Sequence, residues 1–169
     1  PDETEFKMPE GGLNIHYPKQ ALEALAQEEH LHRHKLYAAI AYAKKNKLNR
    51  PMIESPKKRL GIVTAGKSYL DVRQALDDLG VDEDFAKELG ISVFKVAMTW
   101  PLEPDSIREF CQGHEEILIV EEKRALIENQ LKEQAYNWPN DQRPRIYGKF
   151  NEDRELILPS FGELTPAMI

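Results

Sequence analysis

Four short apolar runs constrain the fold of this chain more than any other feature: "LGIVTA" (60–65), "ISVFKVA" (91–97), "EILIVE" (116–121) and "PRIYG" (144–148). Each is strand-length and mostly rich in Val and Ile, as expected of strands buried on both faces. The segments between them carry apolar residues at helical spacing and predict helices at 68–79, 83–89, 105–111 and 123–135. Strands alternating with amphipathic helices imply a largely parallel sheet covered on both faces. The expected class is therefore α/β.

The first third reads differently. Residues 1–17 mix Gly, Pro and acids without a period and predict an irregular arm. From Pro18 to about Lys47, Leu22, Leu25, Leu36, Ile40 and Ala43 fall on one helical stripe, interrupted by Glu29 and Arg33, so that either two helices or one whose middle faces solvent is expected. "LNRPMIESPKKR" (48–59) reads as a linker, because Pro51 and Pro56 hold their predecessors extended. The expected organisation is a helical extension with linker over 1–59, an α/β domain over 60–150 and a tail over 151–169. The first residue is Pro1 and the last run is "GELTPAMI", which suggests a piece of a longer protein.

Composition narrows the function classes. A net charge of −6 argues against nucleic acid as the main partner, since phosphate neutralisation needs clustered Lys and Arg. No run of eighteen apolar residues is present, so no membrane span is expected, and the acidic N-terminus does not resemble a signal peptide. A cytoplasmic location is the expectation. Cys111 is the single cysteine, too few for a disulfide framework, a four-thiolate zinc site or an iron–sulfur cluster.

"GIVTAGKS" (61–68) fits the pattern of a phosphate-binding loop, G-x-x-x-x-G-K-[ST]. Such a loop wraps phosphate with backbone N–H groups of the residues between its glycines. Here those residues are Ile62, Val63, Thr64 and Ala65, which continue a strand. Ser68 and Asp71 have the spacing of a capping box for the next helix, leaving only Gly66 and Lys67 as loop. Nucleotide binding is not expected. Gly66, Lys67 and Ser68 still lie at a strand's carboxyl end, where open α/β sheets take ligands. A single anion or a partner carboxylate fits there; a tight turn with an exposed lysine is the plainer reading.

The remaining polar clusters carry less. His30 and His34 share a helix face while His32 points elsewhere, and a solvated face without native metal is expected. In "TWPLEP" (99–104), Trp100 ends a strand as a packed aromatic or a pocket wall, and Asp105 or Ser106 can cap the following helix. Glu121 and Glu122 diverge to opposite faces of their strand. Capping the helix expected near Lys123, or reaching a partner, suits them better than acid–base work. No set of nucleophile, base and orienting group emerges.

In this order and spacing, "GIVTAGKSYLDVRQAL", "GISVFKVAMTWPLEP", "EEILIVEEKRALIENQLKEQ" and "RPRIYGKF" resemble the middle region of the indolepyruvate ferredoxin oxidoreductase family. The likeness is closest to its long fused bacterial form and covers the chain from about Tyr17. "VTAGKSYLDV", "WPLEP" and "VEEKR" are its most specific parts. The resemblance implies a three-layer α/β/α domain like the C-terminal domain of transketolase, with a mostly parallel sheet. It also implies a parent enzyme that oxidatively decarboxylates aryl pyruvates to acyl-coenzyme A and passes electrons to ferredoxin. That parent would use thiamine diphosphate, magnesium and iron–sulfur clusters.

The family's thiamine-binding segments lie before and after this region, and no glycine–aspartate motif with a downstream asparagine is found here. No catalytic, cofactor-binding or metal residue is therefore expected in this chain. The resemblance implies a scaffold that packs against neighbouring domains of the parent and a second subunit, the tail leading to the next domain. Gly66, Lys67, Ser68, Trp100, Glu103, Glu121, Glu122 and Lys123 are the candidate contact residues. A stand-alone phosphate- or nucleotide-binding protein built on the "GKS" turn is the alternative.

Overall fold

In the computed structural model, residues 6–13 and 21–169 are described; Leu22 of the expected stripe, the helix start near Pro18 and the rest of the arm lie outside the described residues and side chains. The chain divides into two compact units, Pro1–Leu48 and Asn49–Ile169.

In the first unit, α1 (Ala21–His30) runs through a π-helical turn (Leu31–Lys35) into α2 (Leu36–Lys45). Ala38 and Ala41 are buried, and Phe6 and Leu13 pack on them. The expected stripe is only partly realised. Ala43 is buried, Leu36 and Ile40 are half-buried and Leu25 is exposed. A π turn takes more residues than an α turn. It therefore shifts the phase between α1 and α2, and one 3.6-residue stripe cannot continue through both.

The second unit is a five-stranded sheet of β1 (Arg50–Ile53), β2 (Leu60–Ala65), β3 (Ile91–Val96), β4 (Glu116–Val120) and β5 (Arg145–Tyr147). The order is β1-β3-β2-β4-β5, parallel throughout except for β1, which pairs antiparallel with β3. The helices are α3 (Gly66–Asp78), α4 (Glu83–Leu89), α5 (Pro104–Cys111) and α6 (Ile127–Ala135).

Strand alternation sends successive residues to opposite layers. Val63, Phe94, Val96, Ile117 and Ile119 share a core with Ile107 and Phe110 of α5 and with Ile127 and Leu131 of α6. Ile62, Val93 and Val120 pack with Tyr69, Val72 and Leu76 of α3 and Ala86 of α4. The result is the expected three-layer α/β/α arrangement. Full burial of a side chain such as Phe94 or Ile119 contributes about 1.5–3 kcal/mol.

Two segments differ from the sequence expectation. Residues 50–53, read as linker, form the edge strand β1, with a bulge between Pro51 and Ile53. An edge strand leaves one side of its backbone unpaired, so Pro51 is tolerated there. Asn49 fixes its entry: the side-chain oxygen accepts from the N–H groups of Ala97 (2.9 Å) and Met98 (3.0 Å). The tail over 151–169 packs back onto the unit. Phe150 and Leu156 form an antiparallel bridge, and Leu158 and Leu164 are buried in the α3-side core.

Candidate functional site

From β2 the chain passes through α3 and α4 to β3 on one side, then returns across the sheet to β4 on the other. The carboxyl ends of β2 and β4 thus flank a topological switch point, where open α/β sheets form their clefts. A cleft of about 810 Å³ lies there. Gly66, Lys67, Ser68, Trp100, Glu121, Glu122 and Lys123 all line it, so folding brings together seven of the eight candidate residues.

Glu103 is the exception, and the structure corrects it. It is fully buried, and its carboxylate accepts from the N–H groups of Asp105 (2.7 Å) and Ser106 (2.9 Å) and from the Ser106 hydroxyl. Glu103, rather than Asp105 or Ser106, caps α5. A carboxylate consumed in this way has no surface to offer a partner.

No loop separates β2 from α3. The strand runs to Ala65 and the helix opens at Gly66, whose φ of 55° suits glycine. Ser68 therefore lies inside the first turn, 2% exposed, and the capping box expected with Asp71 does not form. Asp71 instead receives Lys67 one turn earlier, Nζ to Oδ2 at 2.9 Å. Lys67 Nζ also donates to the Leu164 carbonyl at 2.8 Å and lies 3.2 Å from Glu163 and 3.7 Å from Glu122. The hydrogen bond to Asp71, with a further one to Glu163, raises the Lys67 pKa. The lysine is partly exposed, yet already held by carboxylates.

Glu121 and Glu122 diverge as their adjacent positions require. The buried Glu121 carboxylate accepts from the N–H groups of Leu126 (3.0 Å), Ile127 (2.9 Å) and Glu128 (3.0 Å), the opening of α6. It does this across a loop, so α6 begins at Ile127 rather than near Lys123. Glu122 Oε1 accepts from Leu164 N at 3.0 Å, and Lys123 Nζ donates to the Gly162 carbonyl at 2.5 Å.

Trp100 is 54% exposed and forms an apolar rim of the cleft with Leu126, 45% exposed. It is a cleft wall rather than a packed core aromatic. Gln130 of α6 holds the loop beside it, donating to Thr99 O (2.9 Å) and accepting from Leu102 N (2.8 Å).

Behind the cleft lies a buried network that the sequence reading missed. Glu128 binds Lys132 Nζ at 2.6 Å and accepts from Lys149 N at 2.9 Å. A Cβ on Gly148 would collide with its carboxylate. The Lys149 ammonium is buried and donates to the carbonyls of Glu121 and Pro159; burial lowers its pKa, opposed by Glu121, Glu128 and Glu122. The one signal in sequence is the i,i+4 spacing of Glu128 and Lys132.

At the opposite, amino end of the sheet, His114 is buried beside a cavity of about 220 Å³. Its Nδ1 donates to Phe110 O at 2.8 Å, and burial lowers its pKa. Cys111, fully buried at the end of α5, has its thiol pKa pushed up to about 12 by desolvation. In the first unit the His30 and His34 rings lie 5.1 Å apart. Among the described residues, no group of three or more His, Cys, Asp or Glu is placed to hold a metal ion.

Residues 49–166 match the family model of the indolepyruvate ferredoxin oxidoreductase middle domain. The chain is 34% identical over 103 residues to the indolepyruvate oxidoreductase subunit IorA of Pyrococcus abyssi, covering 56% of this chain and 15% of that protein. The IorA subunit of Pyrococcus horikoshii is 33% identical over 98 residues, 57% of this chain and 14% of that protein. That of Methanothermobacter marburgensis is 32% identical over 86 residues, 51% of this chain and 13% of that protein. The matched part is thus a small fraction of each of these relatives. Because the match spans β1 to the final turn of the sheet unit, the chain belongs to the indolepyruvate ferredoxin oxidoreductase family, through its middle domain.

Proposed function

We propose that this domain is a scaffold and contact surface of a cytoplasmic indolepyruvate ferredoxin oxidoreductase. The parent's reaction is the oxidative decarboxylation of an aryl pyruvate to its acyl-coenzyme A, with ferredoxin as electron acceptor. Thiamine diphosphate, magnesium and iron–sulfur clusters supply that chemistry from other parts of the parent, since the groups present here do not fit them. The single thiol is fully buried with a raised pKa, a poor cluster ligand. Lys67, the cation nearest a phosphate position, is already held by carboxylates. For the same reason a stand-alone phosphate-binding protein is not favoured.

One observation carries the reading. The cleft exposes Trp100 and Leu126, while Lys67, Glu121, Glu122 and Lys123 around it are bonded within the chain. An apolar rim with its polar neighbours satisfied suits burial against a neighbouring domain or subunit of the parent. Gly66 and Ser68 supply backbone and small side chains to the same wall.

The test is Trp100→Ala and Leu126→Gln in the full-length parent, read by subunit assembly and by indolepyruvate-dependent dye reduction. Losing a buried aromatic anchor costs about 2 kcal/mol or more at an interface, so assembly should weaken by a factor of ~30. The isolated 169-residue chain should fold cooperatively, tolerate both substitutions and show no turnover. Turnover by the isolated chain, or normal assembly and activity of both parent variants, overturns the reading.

A further inference from the structure

The carboxyl-terminal segment 158–169 is attached to the domain in an unusual way. Leu158 and Leu164 insert into the α3-side core, and Ile169 packs at its edge. Between those two anchors the segment joins no strand of the sheet. Apart from the bond of Leu158 N to Lys149 O at 3.4 Å, its backbone is held to the rest of the unit by side chains. Lys149 donates to Pro159 O at 3.2 Å, Lys123 to Gly162 O and Lys67 to Leu164 O, while Glu122 accepts from Leu164 N. Glu163 adds its carboxylate to Lys67, which already holds Asp71 and lies near Glu122. Lys67 is thus the hub through which α3, the end of β4 and the segment are joined.

We propose that residues 158–169 form a strap that detaches separately from the sheet, and that Lys67 is its latch. A segment anchored by Leu158, Leu164 and Ile169, one backbone bond from Leu158 N to Lys149 O and a few side chains, and paired with no strand of the sheet, belongs to the low-stability end of a domain. The strands keep their own hydrogen bonds and the α5–α6 core when the strap leaves. The "GKS" turn then has a purpose unrelated to nucleotide: its lysine receives a carboxylate of the same chain. Lys67, Glu122 and Lys123 also line the cleft, so release of the strap leaves three of the cleft's charged side chains without these partners. The inference does not rest on the contact-surface reading of Trp100 and Leu126.

Hydrogen exchange read by mass spectrometry on the 169-residue chain tests it. Lys67→Met keeps the aliphatic stem and removes the charge. Peptides covering 158–169 should exchange at least tenfold faster in this variant, while those from β2, β3 and β4 keep their wild-type rates. Lys67→Arg should stay within about twofold of wild type. Unchanged exchange in the segment would show that its other anchors hold it without the latch, and equal acceleration in the strands would show that it is no separate unit; either outcome overturns the proposal. If Lys67→Met fails to fold, Glu122→Ala carries the same two criteria, because it removes the acceptor of Leu164 N.

Discussion

A buried carboxylate is tolerated when its oxygens are consumed, and Glu121 meets that condition through three backbone N–H groups. It also sits at the positive end of the α6 dipole. Glu121→Ala should therefore lower the unfolding free energy by about 2 kcal/mol, as expected for loss of charge-assisted bonds to a helix start. A urea titration showing a loss below ~0.5 kcal/mol, the scale of an ordinary surface substitution, would refute this. Glu121 was legible because it stands where an apolar strand stops and a helical period begins. Glu128 was not, because its partner Lys149 is 21 residues away and only the fold makes them neighbours.

His114 ties the stability of the fold to pH. Its folded-state pKa lies below the ordinary 6.5, so the native state resists a proton that the unfolded chain accepts. Stability should thus fall as pH drops below about 6.5, by at most ~1.4 kcal/mol per pH unit for one proton. Denaturation midpoints from pH 7.5 to 5.5 should decline more steeply in wild type than in His114→Phe, whose ring can keep the stacking on Phe110. Parallel slopes for the two proteins would remove His114 from the account.

Among the elements, the parallel strands were readable because most of their residues are apolar and helical periods lie between them. The edge strand β1 was not. It is four residues long, contains a proline and has one neighbour, so neither period nor composition marks it. The same view decides the phosphate-loop pattern: four of its intervening residues are rungs of β2, and the helix follows at once. Calorimetric titration of ATP with magnesium should show no saturable binding tighter than about 10 μM, or roughly −7 kcal/mol. A tighter, stoichiometric isotherm would mean that β2 and α3 part to form a loop. The boundary at Gly66 differs from expectation because α3 follows β2 without a loop, Gly66 taking the turn at a φ of 55°, and that at Ile127 because Glu121 holds the helix start across a loop.

For the whole molecule, the three-layer class follows from the alternation of elements, but not the return of the carboxyl-terminal segment to the sheet. Leu158 closes the short apolar run Leu156–Leu158 and Leu164 lies among Gly, Glu and Pro, so no local period tells that Leu158 and Leu164 are buried while Leu156 and Ile157 are exposed. The backbone of the segment bonds to the side chains of Lys67, Glu122, Lys123 and Lys149, which are distant in sequence and neighbours only in the fold.

The lone thiol of Cys111 turns the intact domain into its own clock. It is sealed between α5 and the sheet, and its thiolate form is suppressed at any ordinary pH. An alkylating reagent such as iodoacetamide can reach it only through molecules that have opened that layer. At pH 8 the native chain should stay unmodified for hours while the urea-unfolded chain is labelled within minutes. Across low urea concentrations the labelling rate should rise with the denaturant slope of complete unfolding. A rate independent of urea would instead reveal that α5 breathes away from the sheet while the rest of the domain stays folded.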